Sequence, residues 1–439
     1  MFWSWPLDGW IIVVGVLCGV SSTLLGTFLM LRRMSLLGDA ISHAVLPGIA
    51  LAFLWTGSRS SLPMFLGAVI VGVLTAFFTE WVRRVGRVDE GASMGVVFTT
   101  LFALGLLLLV GAADQIDLDV DCVLMGNIEM TPLDRIAVGS LWVPRSALTL
   151  GGVTLINLLF VMIFFKELKL FCFDPALASA TGFSASLLHY VMMIMVAVTA
   201  VASFEAVGSV LVVAMLIVPA ATASLLTTRL SHLLVVGCII AALTAVIGHL
   251  GVIAIPPQLG LKSAKTAGGM AIAAGLLFSL AVFFAPHEGL IPRFVRQRRL
   301  SQQIMLDDVL AFLFRLREAG DASAVSISRV SDQLMIPELR IRRSIAQLLA
   351  DGLVEEIGEA IRLTGMGSKR ATDLVRSHRL WETYLSDHAG IAPERLHDKA
   401  EKLEHFTDPG MRKRLDQQTA ASIDPHGRPI PDEAGGERD

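Results

Sequence analysis

Residues 11–31, IIVVGVLCGVSSTLLGTFLML, extend for a full bilayer thickness without one charged side chain. Hydrocarbon offers the peptide group no water to bond, so a run of roughly 20 such residues crosses a membrane as a helix or does not cross at all. The pattern repeats along the chain. It predicts further helices near 40–56, 62–80, 92–110, 147–165, 187–202, 207–227, 231–251 and 266–285, about nine in all. Small residues recur within them, as in AVGSVLVVAMLIVPAATA, and let helices approach closely, while Pro219 is expected to break or bend its own. The opening MFWSWPLDGW lacks the basic start of a secretory signal, so the first run is taken as a retained helix.

Charge then divides the chain. Residues 1–300 hold 17 Lys and Arg against 15 Asp and Glu; residues 301–439 hold 19 against 24. A membrane part at 1–290 is therefore followed by a soluble, mildly acidic part, and the overall net charge of −3 excludes a generally basic nucleic-acid binder. The four cysteines, at 18, 122, 172 and 238, have no CxxC spacing and none follows residue 300, which argues against a disulfide framework or a zinc ribbon.

Orientation follows from the short basic loops. Arg32 and Arg33, then Arg83, Arg84 and Arg87, then Lys166 and Lys169, then Arg229, then Arg293, Arg296, Arg298 and Arg299 follow alternate helices. With nine spans all fall on one side, the cytoplasm, so the N-terminus points outward from a plasma membrane and the soluble part lies inside. The loop carrying Asp114, Asp117, Asp119 and Asp121 then faces out, with Arg59, Arg135, Arg145, Lys262 and Lys265 as minor exceptions to the rule.

Polar groups at membrane depth are costly and therefore informative. Asp39 and His43, in GDAISHAVLPG, are four residues apart, which sets a carboxylate and an imidazole on one helix face as ligands for a first-row divalent cation. The same pair also suits a helix cap and an interhelical hydrogen bond. Glu205 and His189 are further candidates for an ion path, with capping and interfacial roles equally open.

In the soluble part, SQQIMLDDVLAFLFRLREAG (301–320) predicts a helix, 326–334 a second, and 337–350 a third, followed by strand-like LVEEIGEAIRLT. That order is a winged helix over 301–365. Arg340, Arg342 and Arg343 on its third helix suit phosphates or a guanine edge, but Glu355, Glu356 and Glu359 line the wing, so a protein-contact role competes with DNA binding. Residues 366–420 then gather His378, Glu382, His397, Glu401, Glu404 and His405 on successive helices, an N/O donor set suited to Mn²⁺, Fe²⁺, Co²⁺ or Zn²⁺, although such residues also populate solvated faces. The tail 421–439 has too few apolar residues to pack and is expected to trail in solvent.

Two family resemblances follow. GDAISHAVLPGIALAF, ASMGVVFTTLFALGLLLL, KELKLFCFDPALASATGF and FEAVGSVLVVAMLIVPAATA, within residues 9–290, resemble the permease subunit of metal-ion ABC transporters of the zinc, manganese and iron chelate class. The resemblance implies a permease that pairs with itself or a paralogue, an extracytoplasmic metal-binding protein, and a separate cytoplasmic ATP-binding subunit. It places Asp39 and His43 near the ion route, and Phe173, Asp174, Pro175 and Gly182 at the ATPase contact. No GxxxxGK[ST] loop occurs, consistent with a motor on another chain rather than an enzyme on this one.

SHRLWETYLSDHAGIAPERLHDKAEKLEHF and DPHGRPIP, within about 305–430, resemble the iron- and manganese-dependent repressors related to the diphtheria toxin repressor. That likeness implies an ancillary set of His378, Glu382 and His397, a primary set of Glu401, Glu404 and His405, and Asp308 as a further ligand. Glu401 replaces the Cys of iron-type members and favours Mn²⁺, with Fe²⁺ or Zn²⁺ as alternatives, whereas Ala311 stands where manganese-type members carry a second carboxylate. The resulting expectation is a mostly α chain: a divalent-metal permease with a cytosolic winged helix and metal-sensing dimerisation helices. The competing reading is a membrane-tethered, metal-dependent DNA-binding regulator.

Overall fold

The computed structural model describes residues 4–34, 36–56, 61–113, 127–138, 141–182, 184–258, 260, 264–321, 323–389 and 393–432. The acidic loop residues Asp114, Asp117, Asp119 and Asp121, with Arg59 and Lys262, lie outside them. The chain divides into two units, Met1–Arg293 and Phe294–Asp439.

In the first unit, α1 (Trp5–Leu31) begins with proline in its first turn, where a missing N–H costs no intrahelical bond. The next span is α2 (Leu37–Ala44) and α3 (Leu46–Thr56), interrupted at Val45. Pro47 offers no N–H to the carbonyl of His43, so the ladder cannot continue unbroken there. The spans α4 (Ser61–Gly86), α5 (Glu90–Ala113), α6 (Arg145–Ile163), α9 (Ala185–Val207), α10 (Ser209–Leu226), α11 (Leu230–Gln258) and α12 (Thr266–Phe284) complete nine among the described residues. Two short helices, α7 (Phe165–Phe173) and α8 (Pro175–Ala180), and an antiparallel hairpin of β1 (Arg135–Val138) with β2 (Leu141–Pro144) occupy connections. Of the two outcomes expected at Pro219, a break does not occur: α10 continues through it.

Glycine sets the closest approaches. A Cβ on Gly26 would stand 1.9 Å from the Leu216 carbonyl oxygen, so α1 and α10 meet backbone to backbone. Around that contact pack Leu25, Phe28, Leu29, Ile41, Met192 and Leu211, all fully buried. On α4, by contrast, Leu62, Leu66, Ile70 and Leu74 recur every four residues as an exposed apolar stripe, which water would penalise and lipid tails accept.

The second unit begins within α13 (Leu290–Glu318), whose Leu306, Val309, Leu310 and Leu313 enter a core with Val330, Ile341, Ile345 and Leu348. Strand β3 (Val325–Ser326), α14 (Ile327–Leu334), α15 (Glu338–Ala350), β4 (Val354–Ile357) and β5 (Ala360–Leu363) follow in the order foreseen for a winged helix, with the sheet ordered β3-β5-β4 and antiparallel. Ser326 caps α14, and Gly358, at φ 66°, makes the β4–β5 turn. Then come α16 (Gly365–Ala389), α17 (Pro393–Glu404) and α18 (Pro409–Thr419), packed through Leu380, Trp381, Ala400 and Leu415.

Residues 421–432 correct the expectation of a trailing tail. Ile430 is buried against that same core, Ile423 pairs with Pro429, and Asp424 Oδ1 accepts the backbone N–H groups of His426 and Arg428 at 2.9 and 2.8 Å. Arg376 and Arg379 of α16 donate to the carbonyls of Pro431 and Pro429. One apolar anchor and two arginine bonds tie down a segment that Asp424 folds on itself and whose composition alone gives little reason to fold.

Candidate metal sites

In the membrane unit, one turn of α2 separates Asp39 from His43, and Oδ1 and Nε2 lie 3.4 Å apart with both side chains part-exposed. The His43 ring stands 6.1 and 6.0 Å from those of Phe98 and Phe102 on α5. Aromatic faces on one side and a carboxylate on the other leave the imidazole few ways to turn.

His189 lies elsewhere. It is buried on α9 with no hydrogen-bond partner for either ring nitrogen among the described residues, and its Nε2 is 3.6 Å from Glu80 Oε2. Glu80, also buried, accepts from Arg83 and Arg84. Sequence reading missed this carboxylate, although its signal was present: a single acid in an apolar helix with arginines at i+3 and i+4. Glu205 is exposed and lines a 160 Å³ cavity with Asp134 and Arg145. Asp174 is non-helical and its Oδ1 accepts from Leu177 N at 2.9 Å, a cap that starts α8; Phe173 and Leu177 are exposed on either side of it, and Gly182 has φ 90°.

Among the described residues of the second unit three donor sets each lie within 4.8 Å: His378, Glu382 and His397; Asp308, Glu404 and His405; and Glu382, Asp424 and His426. Successive turns of α16 aim His378 and Glu382 at His397 on α17. His378 Nε2 is 3.1 Å from Glu382 Oε1 and 3.0 Å from His397 Nδ1, and the latter two atoms are 3.1 Å apart. Donors about 2.1 Å from one ion stand about 3.0 to 3.4 Å apart, so the three atoms of this triangle are close enough to bind a single divalent cation. Glu404 accepts from His378 Nδ1, which fixes the ring and turns Nε2 toward the triangle. Burial opposes a charge on His378, yet the hydrogen bonds to Glu382 and Glu404 outweigh it and raise the imidazole to about 9. Burial likewise opposes the Glu382 carboxylate, but the bond to His378 takes it down to about 2. A cation entering here would therefore displace a proton from Nε2.

At the second set, His405 has a nearly buried side chain, and neither ring nitrogen has a hydrogen-bond partner among the described residues. Its Nε2 is 3.7 Å from Asp308 Oδ1 and 3.8 Å from Glu404 Oε1, while Nδ1 is 3.5 Å from Asp307 Oδ2. Burial pushes the Asp308 carboxyl up to about 6, and the neighbouring acids Glu401, Glu404 and Asp307 add to the rise. Crowded carboxylates beside an orphaned imidazole fit a divalent cation, which would satisfy both.

Geometry thus gathers every foreseen donor except Glu401, which is exposed and belongs to none of the three sets. Asp307, Asp424 and His426 were not foreseen. The DD pair at 307–308 and the DPHG of the supposed tail were the available signals. On α15, Arg340, Arg342 and Arg343 are all exposed, but Arg342 is held by Glu338 at 2.6 Å, and on the wing Glu355 is neutralised by Arg362 at 2.5 Å.

The ABC 3 transport family matches residues 9–285, and the iron dependent repressor metal binding and dimerisation domain matches residues 364–432. The chain is similar to the manganese transport system membrane protein MntD of Bacillus subtilis (strain 168), at 41% identity over 67% of this chain and 98% of that one. It is also similar to the zinc transport system membrane protein TroD of Treponema pallidum (strain Nichols), at 35% identity over 81% of this chain and 96% of the relative. Among solved structures, PsaBC from Streptococcus pneumoniae in complex with Fab is 29% identical, with a TM-score of 0.53, and covers 66% of this chain and 94% of that one.

Proposed function

The chain belongs to the ABC 3 transport family, and from that premise we propose how its two units act together. It is the membrane permease component of a divalent-metal ABC importer, a polytopic protein fused to a cytoplasmic metal-responsive regulatory domain. ATP hydrolysis comes from a separate subunit, as family membership implies, and an extracytoplasmic metal-binding protein delivers the cargo. Asp39 and His43 touch the ion as it passes, in a pore formed with a second permease, the same chain or a paralogue. The exposed turn Phe173–Asp174 and helix α8 meet the ATPase.

Mn²⁺ is the ion this reading favours, both as cargo and as regulator. What supports the choice is the donor set itself, His378, Glu382 and His397 beside Asp308, Glu404 and His405, which is rich in carboxylate and free of thiolate and so suits Mn²⁺. The MntD relative is named for manganese and TroD for zinc, so Zn²⁺ and Fe²⁺ are the competitors. When cytosolic Mn²⁺ rises, the regulatory unit binds it and slows the permease.

Uptake by the reconstituted complex tests the core of this. ATP-driven accumulation of Mn²⁺ that Zn²⁺ inhibits only at excess supports the reading; accumulation of Zn²⁺ alone transfers the cargo to zinc, and accumulation of none of Mn²⁺, Fe²⁺ or Zn²⁺ refutes it. The exposed Arg340 and Arg343 of α15 favour a second reading, a tethered DNA-binding regulator.

A further inference from the structure

Arg32, in the turn after α1, makes two contacts with a single residue of α7. Its Nη1 donates to the Phe171 carbonyl at 3.2 Å, and its guanidinium carbon lies 4.1 Å from the centre of the Phe171 ring. Phe171 is 2% exposed, and α7 ends two residues later at Phe173, beside the Asp174 cap. The other end of the contact is equally placed. Arg33 has φ 62°, a left-handed conformation costly for a side-chain residue, and the chain then runs directly into α2 with Asp39 and His43. The Phe171 ring also stands 6.2 Å from that of His189, whose Nε2 faces Glu80 of α4.

We propose that the Arg32–Phe171 contact transmits movement of the ATPase-facing turn to α2 and its Asp39–His43 pair, so that Arg32 is a positioning residue for coupled transport. The inference rests on the reading of Phe173–Asp174 as the ATPase contact. A planar guanidinium can stack on the ring and donate in its own plane to the carbonyl, so α7 and the α2 turn are held at two points. An ammonium has no planar face and does not hold ring and carbonyl in that fixed geometry. The Phe171 ring is also packed near His189, at 6.2 Å between ring centres, so it is buried among neighbours and a displacement of α7 is carried to Arg32 through a fixed contact.

The test uses the full complex in proteoliposomes, with Mn²⁺ uptake and ATP hydrolysis measured together. Arg32→Lys keeps the loop charge that sets membrane orientation, and Phe171→Leu keeps an apolar side chain and the carbonyl while removing the ring. Each is expected to lower Mn²⁺ moved per ATP by about tenfold, with hydrolysis within about twofold of wild type. Proportional loss of both activities would mean a structural role only, and an unchanged ratio in both variants would mean no role; either overturns the proposal. A cysteine at Ala176, exposed on α8, separates this from the premise: crosslinking to the ATPase with an unchanged ratio sinks the Arg32 inference alone, and absence of any crosslink in an active complex sinks the contact on which it depends.

Discussion

Glu404 accepts a hydrogen bond from His378 Nδ1 through Oε2, while its Oε1 lies 3.8 Å from His405 Nε2. One buried carboxylate therefore orients a ligand in one donor set and belongs to another. Loss of either duty should be felt at both. Glu404→Gln is expected to weaken Mn²⁺ binding at the His378 set by about 10- to 100-fold, the usual range for outer-shell partners, and at the His405 set by at least as much. Calorimetry on the full-length protein checks this, and a variant that loses one binding event while retaining the other at wild-type affinity would show that Glu404 does not join them.

Asp307 has a comparable position. Its Oδ1 accepts from Arg370 at 3.1 Å and its Oδ2 faces His405 Nδ1, so it can hold that ring with Nε2 toward Asp308 and Glu404. Asp307→Asn retains size and loses charge. It is expected to weaken Mn²⁺ at the His405 set by about tenfold and leave the His378 set unchanged. Equal affinity in variant and wild type would remove Asp307 from the site.

For transport, Asp39→Ala and His43→Ala should each lower Mn²⁺ uptake by at least about tenfold, while insertion and complex assembly persist. Their helix face carries a carboxylate and an imidazole where apolar side chains would be cheaper. Normal uptake in both variants would reassign the pair to packing.

A pH dependence follows from Glu318. The hydrogen bond from Arg379, at 2.8 Å, holds its carboxyl below the ordinary 4.5 against the opposing effect of burial. A carboxylate depressed in the fold contributes stability above its unfolded value and loses that contribution as pH falls through the lower, folded value. Glu318 is one-third exposed, so solvent screening limits the pair to about 1 kcal/mol. Glu318→Gln should thus reduce hydrogen-exchange protection of α16 at pH 7, and the difference from wild type should shrink below about pH 4.5. A difference that is constant with pH would mean that the charge contributes nothing.

The spans were legible because charge-free length admits one backbone solution in lipid, and the two families because their motifs are contiguous. What escaped was contact between distant residues. Arg32 and Phe171 are 139 positions apart, and Asp307 and Arg370 are 63 apart, so no local spacing announces either. Residues 421–432 escaped for another reason: Ile430 is their single buried hydrophobe, and what fixes the segment is carbonyl bonding by buried arginines, to which composition is blind. Pro219 does not end its helix because a spanning helix can lose one hydrogen bond where neighbouring groups compensate.

The last prediction separates regulation of transport from regulation of genes. DNA binding needs a positive surface, since phosphate neutralisation supplies most non-specific affinity. On α15, Glu338 engages Arg342, and on the wing Glu356 and Glu359 remain exposed, in a stretch whose net charge over 301–439 is −5 from 19 basic and 24 acidic residues. Direct inhibition of the permease faces no such opposition. Glu382 belongs to two donor sets, so Glu382→Gln should abolish inhibition of uptake by Mn²⁺ supplied on the ATPase side while leaving the initial rate without that Mn²⁺ within about twofold of wild type. Footprinting with the full-length protein on its own upstream DNA, with and without Mn²⁺, gives the other arm. A sharp Mn²⁺-dependent footprint that Arg340→Ala with Arg343→Ala removes, together with uptake indifferent to internal Mn²⁺, would establish the tethered regulator and end the feedback reading.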